Sequence, residues 1–522
     1  MKNALSLLRR LPARGVIALL ALLLITGSAY GALRSDGSPP PELAADATAW
    51  PAYNYDLSNS RYTISSGISS SNVATLKQKW TFTLPRAAGN FGAFTSNPVS
   101  ANGMVYVEDP NSNVYALNQQ TGALVWKHEY HSPTPSGGPN GVTLGYGLLY
   151  GTTATQVFAL NPQTGAQAWI SQSLPRNKLE GIDMAPQVFG NKVVVSTIPG
   201  RGLNFYKGNS YGIVWALNAQ NGQPIWKFST VLGGDKLWGN AKKNGGGGLW
   251  YPPSVDSSGR VFLGVANPAP WPNSPDNPNA TSRPGPNMFT DSLVALDGDT
   301  GKVLWSNQVV KHDVRDYDFM ISPVITSQVI GGAPAEIVIG AGKMGKVVAF
   351  RADNGHIVWS IKVGKHKNDI GKLPKKLVSV CPGPLGGVET PMAEGGNTLY
   401  VPWLNLCANE SAAGLGQLNF NGGTGGFTAV NPATGGTLWK RFFKTPDFGG
   451  ATISNDVVFT STYDGTTYAL SVKDGSILWS AKAPLGINSL PAVGQNMLIT
   501  GAGAVSKAGQ HGVIIAYSLN GQ

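Results

Sequence analysis

The stretch LVALDGDTGKVLW, residues 293–305, decides the fold. It is an apolar run, a polar turn that ends in Gly, and a second apolar run closed by an indole. The same skeleton, an Ala with a Gly six residues on and a Trp four beyond that, recurs at Ala116/Gly122/Trp126, Ala159/Gly165/Trp169, Ala216/Gly222/Trp226, Ala349/Gly355/Trp359, Ala429/Gly435/Trp439 and Ala469/Gly475/Trp479. VYALNQQTGALVW (114–126) and TYALSVKDGSILW (467–479) show how closely the copies agree. A repeat of this kind fixes the architecture ahead of any other feature.

β-branched and aromatic residues precede each Ala, and Asn, Asp, Gln or Thr fill the space before Gly. Each unit therefore predicts a strand, a tight turn and a second strand. Gly ends the turn because it takes positive φ without a Cβ clash. The Trp is too large for one hairpin to bury, so each unit needs a neighbour against which to pack it. Spacings of 40 to 80 residues between successive Trp residues leave room for a four-stranded sheet plus loops, and such sheets repeated about an axis make a propeller. An eighth unit begins at Ile514-Ile515-Ala516 but ends without its Trp, whereas Trp80 stands unpaired near the start. The expected fold is all-β: an eight-bladed propeller over 49–522, closed by the N-terminal strand.

The 522-residue chain has 67 Gly, only 13% charged residues and a net charge of +11, a composition that suits turns and sheets. Lys2, Arg9, Arg10 and Arg14 precede an apolar run from Val16 to Ile25 and then small residues, the pattern of a signal peptide over 1–31, cleaved after Gly31, or of an uncleaved membrane anchor. Both place the body outside the cytoplasm, as a periplasmic, cell-surface or secreted domain. The Pro-rich segment within 32–48 reads as a linker. Without the four basic residues of the leader the charge is +7, gathered chiefly at Lys365, Lys367, Lys372, Lys375 and Lys376, a loop that is either solvated or docks an acidic partner. An exported chain with no recognition motif is not a nucleic-acid binder. Cys381 and Cys407 can form a disulfide there, and no CxxCH haem site is present.

The repeat, together with WPAYNYD (50–56) followed by Asn59, Arg61 and Tyr62, resembles the alcohol dehydrogenases that carry pyrroloquinoline quinone (PQQ). The resemblance covers nearly all of the chain beyond the leader, and it implies roles for two further stretches. In LWYPPSVD (249–256), running on to NPAPW (267–271), Trp250 falls on the platform beneath the quinone and Asn267 on a metal ligand. In HDVRDYD (312–318), Asp316 falls on the catalytic base, which is also a metal ligand, and Asp318 on the extra carboxylate of lanthanide-using members. Lys343, in GKMG, falls on the cation that faces the quinone oxygens. The implied cofactors are PQQ with Ca²⁺ or a lanthanide, and an amide oxygen beside carboxylates suits a hard cation. The implied reaction is oxidation of a small alcohol-like substrate, with electrons leaving to a separate cytochrome or quinone.

Three departures qualify the likeness. No Asp or Glu occurs from Met184 to Gly234, where a metal-binding Glu is expected, no Cys pair occurs between Ser132 and Pro139, and Asn140 replaces the usual Arg. Glu389, Glu180 and Asp183 are the candidates to replace the missing carboxylate. The alternative function is a propeller without cofactor, an extracytoplasmic binding or assembly scaffold of the kind known among outer-membrane assembly factors.

Overall fold

In the computed structural model the described residues are 37–87, 92–200, 206–232, 234–240, 242–418, 422–504 and 509–522. The leader expected at 1–31 lies outside them. All seven hairpins form with one register: Ala116 faces Trp126, Ala159 faces Trp169, Ala216 faces Trp226, Ala295 faces Trp305, Ala349 faces Trp359, Ala429 faces Trp439 and Ala469 faces Trp479. A bulge beside each pair swings the strand into its turn. The turn is built from side chains as well as backbone. In the 293–305 copy Asp297 Oδ1 accepts from Thr300 N at 2.9 Å and from Thr300 Oγ1 at 2.7 Å, and Gly301 sits at φ +68°. This explains why Asn or Asp opens the turn in five of the seven copies, Arg351 and Ser471 standing there in the other two, and why Gly ends it in all.

Among the described residues there are eight sheets of four or five strands, at 99–128, 143–170, 180–229, 254–308, 324–362, 393–443, 452–482 and 492–519. In most of them the inner strands are largely buried, and the last strand mixes exposed residues with half-buried and buried ones. Two sheets borrow from the N-terminus: Tyr62–Thr63 adds in parallel to 453–454, and Leu76–Ala87 pairs with His511–Leu519, Trp80 facing Ala516. The unit that ends without its Trp thus receives one from the other end of the chain.

Each repeat indole also donates to a carbonyl of the following sheet. Trp126 reaches Pro162 O at 2.9 Å, Trp169 reaches Ala219 O at 3.0 Å, Trp226 reaches Gly298 O at 2.9 Å and Trp305 reaches Ala352 O at 3.0 Å. Trp359, Trp439 and Trp479 continue the series to Pro432, Val472 and Leu76, and Trp80 reaches Gln119 O. The large apolar faces and their single polar atoms are satisfied together, between sheets rather than within one.

The 50–63 segment ties the inner strands together. Arg61 is fully buried, and its guanidinium donates to the carbonyls of Tyr53, Ala451 and Pro491 and to Thr452 Oγ1. Asn59 donates to Pro252 O and Pro323 O, and Asn54 to Ser322 Oγ. A buried cation is tolerable only when its donors are satisfied in this way. Residues 37–48 also lie against the body: Ser38 O accepts from Gly190 N, and the Glu42 carboxylate accepts from Tyr146 N and Gly147 N at 2.9 and 2.6 Å.

The two long gaps in the repeat hold inserts rather than missing strands. One carries the short pair Gly245–Gly246 and Pro268–Ala269, the other a three-stranded sheet of Val378–Val380, Ala408–Ser411 and Gly414–Leu418. Cys381 and Cys407 form a disulfide across that second insert, with an S–S distance of 2.08 Å and Cα atoms 4.5 Å apart.

Candidate functional site

The 312–318 loop is organised by its first aspartate. Asp313 Oδ1 accepts from Arg315 N at 2.8 Å and Oδ2 from Tyr317 N at 2.7 Å. Asp313 is therefore a loop former, and the turn it makes presents Asp316 from a left-handed backbone at φ +66°, a conformation that non-glycine residues hold only when the surroundings impose it. Arg315 braces the loop outward through the carbonyls of Asn368, Ile370 and Gly371.

Lys343 arrives from the next sheet. Its Nζ lies 3.0 Å from Asp316 Oδ2 and 2.7 Å from Asp318 Oδ2, and all three groups are buried. Asp318 is fully engaged: Oδ1 accepts from Asn267 N at 2.6 Å, and Oδ2 also takes the Tyr206 hydroxyl at 3.3 Å. Asp316 keeps one oxygen, Oδ1, without a hydrogen bond, and Asn267 Oδ1 is likewise buried and unbonded. Burial holds the Asp316 carboxyl well above the usual carboxylate range, with the Asp318 charge adding and Lys343 opposing. Burial alone lowers the Lys343 ammonium, but Asp316 and Asp318 beside it more than offset this. One cation therefore serves two buried carboxylates.

These groups border a cavity of about 520 Å³ lined by Trp250, Asp316, Lys343 and Glu389 among others. Trp250 is held there by the preceding glycines; a Cβ on Gly248 would meet Thr197 O at 2.2 Å, so only glycine lets these backbones approach so closely. Of the predicted residues, Trp250, Asp316 and Lys343 line the cavity. Asn267 and Asp318 lie behind it, joined to each other and to Lys343.

The three candidates for the missing carboxylate separate cleanly. Glu180 is held by Arg176, with Nε–Oε1 at 2.8 Å, and by Tyr211 N. Asp183 Oδ2 accepts from Gly137 N at 3.1 Å. Glu389 alone of the three borders the cavity, where Oε1 has no hydrogen bond. Burial, reinforced by Asp318 and Asp316 and opposed by Lys343, pushes its carboxyl up to about 8. The region of the absent Cys pair is filled by backbone, since a Cβ on Gly138 would lie 2.7 Å from Trp250 Cε3. Asn140, in the place of the Arg, donates to Asp109 O.

The residues present fit a planar quinone and a hard cation at the reactive end. Trp250 offers an indole on the cavity wall and Lys343 a cation, and Asn267 Oδ1 and Asp316 Oδ1 are buried oxygens with nothing bonded to them. Among the described residues no three His, Cys, Asp or Glu side chains are grouped to hold a metal, so the donor set combines an amide with carboxylate. Sequence reasoning missed Tyr206, which bonds Asp318 from a loop outside any recognisable motif, and Tyr251, whose hydroxyl donates to Glu389 O at 2.8 Å.

Among known proteins, the chain is 26% identical to a quinohemoprotein alcohol dehydrogenase of Comamonas testosteroni, covering 88% of this chain and 72% of that one. It is 25% identical to a lanthanide-dependent methanol dehydrogenase of Methylorubrum extorquens, covering 83% and 82%. The crystal structure of the Comamonas testosteroni enzyme superposes with a TM-score of 0.80 at 22% identity, covering 95% and 84%, which shows a shared fold. The C-terminal residues 423–521 match the family of the outer membrane protein assembly factor BamB. Residues 50–145 and 172–368, more than half of the chain, match the glucose/ethanol/alcohol dehydrogenase β-propeller domain, and with the quinoprotein relatives above this shows that the chain belongs to that family.

Proposed function

We propose that this protein is an exported dehydrogenase that oxidises an alcohol-type substrate and hands its electrons to a separate cytochrome or quinone. The observation that carries the reading is the Asp316–Lys343 pair on the wall of the same cavity as Trp250. PQQ would lie against Trp250 with Lys343 at its edge, and Asn267 and Asp316 would hold Ca²⁺ or a lanthanide, with Asp318 joining them by giving up its bond to Lys343 or Tyr206. When bound, this group supplies a two-electron acceptor and a Lewis acid.

The chain's own residues do the rest. Asp316 lines the cavity and keeps Oδ1 without a hydrogen bond, and its carboxylate accepts the substrate hydroxyl proton as general base. Lys343 fixes the other carboxylate oxygen, so the free one keeps its direction, and its charge stabilises negative charge developing on a nearby oxygen. Asp318 and Tyr206 hold Lys343 in place. Tyr53, Tyr251 and Trp271 line the same cavity.

Eight sheets closing into a ring would gather these groups at one hub. The indole series running on through Trp479 to Leu76 and from Trp80 to Gln119 supports that closure. The disulfide supports a location outside the cytoplasm. Among the described residues no helix is long and apolar enough to cross a membrane.

The test is reconstitution of the purified chain with PQQ and either Ca²⁺ or La³⁺. A retained quinone absorbance band and alcohol-dependent dye reduction are expected; no retained quinone with either metal overturns the reading. The scaffold reading, favoured by the engagement of Glu180 with Arg176 and of Asn140 with Asp109, would then take its place.

A further inference from the structure

Part of the wall of the same cavity is apolar. Leu385, Leu415, Leu418, Phe448 and Leu490 line it, and Leu385 and Phe448 belong to an apolar cluster with Leu404 and Leu406. Three of these residues, Leu385, Leu415 and Leu418, come from the insert that interrupts the repeat. Leu415 and Leu418 lie on strand Gly414–Leu418, in register with Glu410 and Ala408. Ala408 pairs in turn with Val380, and the Cys381–Cys407 disulfide joins the residues next to that pair. The bridge therefore pins the ladder on which Leu418 stands, and Leu385 follows Cys381 by four residues.

From this arrangement we infer that the disulfide-clipped insert is a specificity wall, and that the substrate is an alcohol with an apolar tail of several carbons or an aromatic ring. The inference rests on the dehydrogenase reading of the same cavity. The hydroxyl lies at the Asp316 end, and the tail extends along Leu415 and Leu418. A one- or two-carbon alcohol would leave that apolar surface against water, whereas each methylene that covers it adds binding energy. A polar or charged tail would be desolvated with no partner in the leucine wall.

The experiment uses the full chain reconstituted with PQQ and metal, and a series of primary alkanols from ethanol to octanol. kcat/KM is expected to rise about fourfold per added methylene until the wall is covered. In Leu415→Ser/Leu418→Ser the gain is expected to fall below about twofold per methylene. Replacement of Cys381 and Cys407 by Ser gives a second variant that alters the wall's support and not its chemistry, and its slope is expected to lie between the two. Calorimetric titration of the same alkanols separates this inference from the reading beneath it. Graded binding that the serine variant loses, with no turnover of any alcohol, keeps the wall and removes the dehydrogenase. Turnover or binding that is flat along the series overturns the wall.

Discussion

At the residue scale the buried trio of Lys343, Asp316 and Asp318 combines stability with chemistry. Lys343→Met leaves two buried carboxylates with no cation, and a destabilisation of about 3–5 kcal/mol is expected in denaturant unfolding, much reduced in Lys343→Arg. Asp316→Asn keeps the shape and removes the proposed base; on that reading turnover by the reconstituted enzyme is expected to fall about 10²- to 10⁴-fold with the quinone still bound. A different, half-buried acid sets a pH dependence. Burial pushes Glu394 up to about 7, although Thr326 donates a hydrogen bond to it. Because its proton affinity is higher folded than unfolded, the folded state is favoured below the unfolded pKa near 4.5 and loses that advantage as pH rises to about 7. Glu394→Gln is therefore expected to gain about 1–3 kcal/mol at pH 8 and almost nothing at pH 4, measured by thermal unfolding at both values.

At the scale of the element, the Ala–Gly–Trp unit works because three positions serve one contact. A Cβ on Gly301 would lie 2.6 Å from Trp226 Cε3 of the preceding sheet, and Gly301 also needs its positive φ. Gly301→Ala is expected to cost about 2–4 kcal/mol, combining the left-handed strain with the clash. Trp226→Ala removes the partner face and is expected to cost about 3–5 kcal/mol. The hairpins were legible because their period, turn chemistry and aromatic closure are all local in the chain. The second insert was not, since its strands Val378–Val380, Ala408–Ser411 and Gly414–Leu418 carry no repeat; there the sequence offered only two cysteines, and the fold brought them together. The segment 37–48, read from its prolines as a linker, lies against the 143–170 sheet through Glu42, a contact that composition cannot reveal.

At the scale of the whole molecule, the outermost strand of the last sheet comes from the opposite end of the chain. Deleting residues through Ala87 would expose the edge of His511–Leu519 and leave Trp479 without its acceptor on Leu76. Such a truncation is expected to unfold without a single sharp transition and to self-associate through the open edge, as read by light scattering. The repeat by itself determined the all-β class, the register of seven hairpins and the place of the eighth, because those follow from spacing along the chain. Asn267, Asp316, Asp318 and Lys343 could be picked out one by one from their motifs, yet their separate duties could not. Which aspartate keeps a free oxygen, which is consumed by Lys343 and Tyr206, and which of Glu180, Asp183 and Glu389 borders the cavity were decided only in three dimensions. These depend on distances between segments far apart in the chain, and a hydrogen bond is made or lost over a fraction of an ångström that spacing along a sequence does not encode.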